Sequence, residues 1–273
     1  MDNITIIRPK KSWSLHDFRE LWAYRELLYF FAWRDIKVRY KQTVVGILWA
    51  VFQPFVAMVV FSFVFGTIAK IPSDGIPYPI FVYSGLILWQ FFSSSLGDAS
   101  NTLVSNASIV TKVYFPRLLL PIADSVTKLV DLFFASLVLV SLMVYYDYTP
   151  GIAGVLLIPV LLFITFMTAT GAGLVLASIN IKYRDVRYIL PYFIQGLLFL
   201  TPVIYPASAA GKFAWLIKLN PLAVVIDTAR AGLLRTAPID YYGLLISLGI
   251  AIILLVVGVY FFKKTEQFFA DVV

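Results

Sequence analysis

The feature that most restricts this chain is a succession of six long runs without a charged side chain: Gln42–Ala69, Gly75–Gly97, Leu132–Tyr146, Tyr148–Ile181, Tyr188–Gly211 and Tyr241–Phe262. A Lys, Arg or Asp at the centre of a bilayer costs about 2.5–3.5 kcal/mol, whereas each Leu, Ile, Val or Phe contributes about 0.3–0.6 kcal/mol, so one charge cancels several apolar residues. Five of the runs reach the roughly 20 residues that a helical crossing needs. The third becomes long enough when it is extended backwards through Leu118–Leu120 across Asp124, Lys128 and Asp131. With 60% hydrophobic and 14% charged residues, against a soluble average of about 25% charged, the expected fold class is all-α: a polytopic bundle of six transmembrane helices.

Six crossings put both termini on one side, and the basic residues choose the side. Of the 22 Lys and Arg residues, 17 fall in the N-terminal segment, the second and fourth loops and the tail; five fall on the opposite side, among them Arg230 and Arg235. The positive-inside rule then predicts both termini in the cytoplasm, and the formal charge of +7 is a topology signal before it is a nucleic-acid signal. The expected organisation is a cytoplasmic segment 1–43, a transmembrane domain 44–263 and a cytoplasmic tail 264–273.

Around these runs lie five features with chemical content. Ser14 and Asp17 resemble a capping box opening an amphipathic helix, with Phe18, Leu21, Trp22 and Leu28 at helical spacing, suited to the membrane interface. Arg34, Lys37, Arg39 and Lys41 cluster just before the first span; such a cluster anchors a helix to anionic headgroups, and its donors also suit phosphate oxygens. In a long second loop, about 98–121, Leu103, Ala107 and Val110 predict a short helix ending before Pro116. Asp124, Lys128 and Asp131 share one face of the third span, where they can pair with one another or with neighbouring helices. Pro191, Pro202 and Pro206 interrupt the fifth span, so its outer end is expected to be bent or broken; beyond it Phe213–Leu219 and Leu222–Leu234 are too short to cross, which predicts a re-entrant hairpin at about 207–236.

Several chemistries are excluded. The Gly211-Lys212 pair continues into Phe213 and has Pro206 where a phosphate loop needs glycine. With no Cys and a single His16, thiolate and histidine-cluster metal sites are ruled out. An enzyme is not expected, and an ion-coupled secondary transporter is a weaker alternative, because the chain shows no repeated halves.

The blocks VRYKQTVVGILWAVFQP (Val38–Pro54), PSDGIPYPIFVYSGLILWQFF (Pro72–Phe92), LVSNASIVTKVYFPRLLLP (Leu103–Pro121), NIKYRDVRYILPYFIQ (Asn180–Gln195), TPVIYP (Thr201–Pro206) and LNPLAVVID (Leu219–Asp227) occur in this order. Together they resemble the permease subunits of ABC exporters for O-antigen and related polysaccharides, of the type 2 permease class. That resemblance implies a homodimer in the bacterial inner membrane, working with two copies of a cytoplasmic ATPase that holds ATP and magnesium, and no cofactor in this chain. The substrate it implies is a glycan on a polyprenyl pyrophosphate lipid, with teichoic acid or capsule exporters as the related alternative. It further implies ATPase coupling through Ser105, Asn106, Ile109, Lys112 and Tyr114 and through Lys182, Arg184 and Asp185. The basic cluster Arg34, Lys37, Arg39 and Lys41 is then a candidate site for the lipid pyrophosphate. Trp49, Phe52, Tyr83, Trp89, Phe91, Tyr192 and Tyr205 are candidate conduit aromatics, because a ring face touches a sugar without fixing it by hydrogen bonds.

Overall fold

The computed structural model describes residues 15–41, 46 and 48–266; the proposed cap Ser14, the segment 42–45 and the tail beyond Glu266 lie outside them. The described residues form helices α1 (Leu15–Ala23), α2 (Arg25–Lys41), α3 (Leu48–Phe61), α4 (Tyr78–Ser105), α5 (Ala107–Val110), α6 (Leu119–Tyr145), α7 (Ile152–Lys182), α8 (Val186–Leu200), α9 (Ala214–Lys218), α10 (Pro221–Leu234) and α11 (Tyr241–Thr265). Among the described residues five helices are long and apolar enough to cross a membrane: α3 with its π-helical continuation to Ile68, α4, α6, α7 and α11. The all-helical membrane bundle expected from the sequence is therefore present.

Two boundaries differ from expectation, each for a local reason. Helix α4 runs on to Ser105, because Ser94, Ser100 and Ser105 turn their hydroxyls back onto carbonyls of the preceding turn and so satisfy themselves inside the helix. The loop that follows is correspondingly shorter than 98–121. Helix α8 has 15 residues, about 22 Å at 1.5 Å per residue, short of the roughly 30 Å hydrocarbon core. It stops at Leu200 because Pro202 and Pro206 supply no N–H to the carbonyls one turn earlier.

Helix α7 is the axis of the bundle, and its glycines allow the closest approaches. A methyl group on Gly171 would stand 2.6 Å from the backbone nitrogen of Leu255 in α11, and one on Gly232 of α10 would stand 2.6 Å from the Cα of Gly154. Backbones that touch in this way are a common solution for helix association in lipid, where apolar burial gives little drive. Helix α4 is the most enclosed span, with Ile80, Val82 and Tyr83 at zero exposure. By contrast α3 and its π-helical continuation leave Trp49, Phe52, Phe55 and Phe63 exposed, and α8 leaves Tyr192 and Phe193 exposed.

The core divides in two. A large cluster fills the bundle, and a second gathers at the end where α2 lies: Phe31 and Ala32 of α2, Val110 and Phe115 of the α4–α6 connection, Leu118–Leu120, Ile181 of α7 and Phe262 of α11. We call this the basic end, and the end that carries α10 the far end.

Candidate functional site

Burial of Phe31 and Ala32 fixes how α2 is rolled, and that decides where each basic side chain goes. Arg34 donates to Asp35 at 2.8 Å and to the side-chain oxygen of Asn106 at 3.0 Å, with its guanidinium 5.2 Å from the Phe31 ring. Arg39 donates through one terminal nitrogen to Asp131 of α6 at 2.6 Å and through the other to Asp98 of α4 at 3.1 Å. Lys128, itself 5% exposed, completes the cluster as an ion pair with Asp98. Tyr40 donates its hydroxyl to Asp131; burial first, then that bond and the carboxylate charge, push its pKa upward, so the phenol stays a neutral donor. Lys37 and Lys41 are exposed, with the Lys37 ammonium 5.3 Å from the Trp33 ring. The basic cluster is thus two populations: Arg34 and Arg39 turned inward onto partners, and Lys37 and Lys41 facing outward.

The trio on α6 does not pair along its own helix as its spacing allowed. Lys128 and Asp131 reach across to α4 and α2, which ties three elements together at one level. Beside this network opens a cavity of about 230 Å³ between α2, α3, α4 and α6. Arg39, Tyr40, Lys128 and Asp131 supply its charged and polar wall, Gln53 and Gln90 two amides, and Trp49 and Phe91 aromatic surface. Cationic donors beside aromatic and aliphatic surface suit an anionic headgroup carrying an apolar or ring-shaped body. An anion entering would compete with Asp98 and Asp131 for the Arg39 fork.

Of the conduit candidates, Trp49 and Phe91 therefore line this cavity, while Phe52 sits on the exposed face of α3, 5.6 Å from Trp49 between ring centres. Tyr83 and Trp89 are enclosed in the bundle core; Tyr83 donates its hydroxyl to the Ala135 carbonyl at 2.9 Å. These rings are given to packing in the single chain. Tyr192 is exposed on α8, and Tyr205 bonds the Phe199 carbonyl at 2.9 Å beyond its end.

The candidate coupling residues also separate. The short helix is one turn, Ala107–Val110, and Val110 and Phe115 are buried in the second core cluster with Ile109 packed against it. Asn106 is occupied by Arg34, and Ser105 bonds the Asn101 carbonyl. What projects is the tip Thr111–Tyr114, where Tyr114 is 83% exposed, 3.5 Å from a Glu20 carboxylate oxygen. Lys182, Arg184 and Asp185 are exposed at the same end, after α7. Arg117 behind the tip donates to the Glu266 carbonyl at 2.6 Å, which ties the loop to the end of α11.

Sequence reasoning missed Asp98, Gln53 and Gln90, because nothing in their local pattern shows which helix they will face. It also missed the burial of Arg230, counted as a loop charge although it is 3% exposed.

Residues 26–234 match the family described as ABC-2 type transporter. The chain is 29% identical to the O-antigen export system permease protein RfbA of Klebsiella pneumoniae, covering 88% of this chain and 92% of the relative. It is 28% identical to the protein of the same name from Myxococcus xanthus, covering 93% and 97%. It is 24% identical to the polysialic acid transport protein KpsM of Escherichia coli, covering 72% and 77%.

Proposed function

The chain belongs to the ABC-2 type transporter family, and on that premise we propose that it is the membrane-spanning permease subunit of an ATP-driven exporter of lipid-linked polysaccharide. The observation that carries this reading is similarity along nearly the whole chain to permeases named for O-antigen export. A capsule-type glycan is the second reading, favoured by the shorter match to the polysialic acid transporter.

In this reading the basic end faces the cytoplasm, in line with the basic-residue count, and the cavity receives the pyrophosphate of a polyprenyl-linked glycan. Arg39 and Lys128 are the donors, since charge-assisted bonds to phosphate are roughly twice as strong as neutral ones. Lys37 and Lys41 attract the anionic headgroup from outside. The exposed faces of α3 and α8 are where a second copy closes a conduit, with Phe52 and Tyr192 facing the glycan. A cytoplasmic ATPase, two copies per dimer, supplies ATP and magnesium and docks on Lys112 and Tyr114 and on Lys182, Arg184 and Asp185.

The test is reconstitution of the chain with its ATPase in liposomes, followed by hydrolysis with a polyprenyl pyrophosphate glycan, the same lipid without glycan, and no addition. Stimulation by the glycan lipid above the bare lipid, with transfer of glycan across the bilayer, is expected. Equal hydrolysis in all three conditions overturns the reading.

A further inference from the structure

Arg230 of α10 is a charged side chain enclosed at the far end, where an unbonded polar group is costly. Its planar fork of N–H donors is used in a specific way. The Nε donates to the Phe81 carbonyl of α4 at 3.2 Å, and the two terminal nitrogens donate to the carbonyls of Pro202 and Val203 at 2.6 Å each. The guanidinium carbon lies 3.8 Å from the centre of the Phe81 ring. Space for it is made by Gly85, where a Cβ would come within 2.6 Å of an Arg230 nitrogen.

The two carbonyls on the α8 side are ones the chain itself orphans. If α8 continued past Leu200, the Pro202 carbonyl would look for an N–H on residue 206, which is proline. The Val203 carbonyl lies in the same broken turn, and the next, on Ile204, accepts from the Tyr78 hydroxyl of α4 at 2.7 Å. Asn220, which caps α10 by accepting from the Leu222 N–H, donates to the Thr201 hydroxyl at 2.9 Å. Donors from α10 and α4 thus replace the missing turn of α8. Thr201, Val203 and Ile204 are buried accordingly.

We infer that Arg230 is a positioning residue of the outer closure: with Tyr78 it latches the broken end of α8 to α10 and α4, so that the far end stays closed as long as the latch holds. This rests on the export reading, in which the far end faces the exterior and α8 borders the conduit. A carboxylate partner could follow the arginine by a rotamer change, but backbone carbonyls move only when the chain moves. Release of the latch is therefore coupled to displacement of the α8 end.

The chain has no cysteine, so a single reporter can be placed without removing any residue. Val203→Cys, at the latch, and Ser247→Cys, buried in α11, are each introduced and challenged in intact cells with a membrane-impermeant maleimide, in complex with the ATPase. Both are expected to resist labelling when Arg230 and Tyr78 are present. With Arg230→Gln, Val203→Cys labels at least tenfold faster while Ser247→Cys stays protected. Tyr78→Phe, which keeps the packing, gives an intermediate rate. In the reconstituted exporter, Arg230→Gln lowers the maximal rate of glycan transfer and leaves the half-saturating glycan-lipid concentration within twofold, since loading takes place at the other end. Unchanged protection of Val203→Cys in both variants overturns the latch, as does equal labelling of Ser247→Cys, which marks general loosening. The labelling needs no substrate and is repeated in permeabilised cells, where the reagent reaches either end, so a failure of the export reading leaves its result intact.

Discussion

Both ends of the bundle bury cations, but they hold them by different means. At the basic end Arg39 and Lys128 are matched by Asp98 and Asp131, side chains on two neighbouring helices, beside an open cavity. At the far end Arg230 is held by three backbone carbonyls in an enclosed space. Carboxylates swing with their rotamers, and each here has two partners, Asp98 with Arg39 and Lys128, Asp131 with Arg39 and Tyr40. Losing one leaves the other in place. A carbonyl has no such freedom. On the proposed reading the basic end is the one that exchanges partners with a ligand, and the far end stays fixed until the backbone moves.

The contrast breaks most visibly at Arg230. Arg230→Met leaves three acceptors without their donor; at about 1–3 kcal/mol for each abandoned buried group, we expect a loss of at least about 3 kcal/mol, seen as a large fall in the melting temperature in detergent. A fall no greater than that of Lys128→Met would remove the distinction between the ends.

Next in size is the effect of an inward against an outward cation. Arg39→Gln is expected to raise the glycan-lipid concentration for half-maximal ATPase stimulation about tenfold, the effect of about 1.4 kcal/mol. Lys37→Gln, which removes one solvated charge near the headgroups, changes it by no more than about fivefold. Equal shifts would return the whole cluster to membrane anchoring.

Lys128→Met sharpens the point about shared partners. Although Lys128 is buried, Asp98 is 44% exposed and keeps Arg39, so the expected loss is about 1 kcal/mol rather than the 3–5 kcal/mol of an isolated buried pair. Combining it with Arg39→Gln should cost more than the two single losses together, which a double-mutant cycle reads directly.

The smallest effect lies at the far surface. The Asp240 carboxylate caps α11 by accepting from the Gly243 N–H at 2.8 Å and pairs with Lys218 at 3.2 Å; these two interactions hold its pKa below the usual carboxylate value. A carboxyl lowered on folding stabilises above its unfolded pKa, about 3.9, and loses that contribution as pH falls through the folded value. The melting temperature of Asp240→Asn should therefore lie slightly below that of the parent at pH 7 and converge on it below about pH 4. A constant difference across that range would show that the carboxylate charge is not what matters.

Five of the six expected spans were legible as crossing helices because a bilayer imposes one strong rule on every residue within it, while the fifth run folds as the shorter α8; the third span was recoverable despite Asp124, Lys128 and Asp131 because those three share a helical face. The break after Leu200 was legible too, since proline acts locally through its missing N–H. Harder to read was how the basic cluster divides. Arg34 and Lys37 look alike in a list of charges, and their fates differ because Phe31 and Ala32 roll α2 so that one faces Asn106 and the other faces away. Likewise Tyr83 and Trp49 are both aromatic residues in spans, yet α4 is surrounded and α3 is peripheral.

By itself the sequence determined the helical membrane bundle, its charge asymmetry and the family, because hydrophobic length, proline chemistry and ordered sequence blocks are properties of contiguous residues. The tertiary structure alone decided which charges meet. Arg39 finds Asp98 and Asp131 across 59 and 92 positions, and Arg230 finds the Phe81 carbonyl across 149. Those distances close only when the helices pack, α2 directly on α6 and α7 against α4, α10 and α11 through its glycines, and an arginine destined for solvent and one destined to hold a broken helix carry the same letter until then.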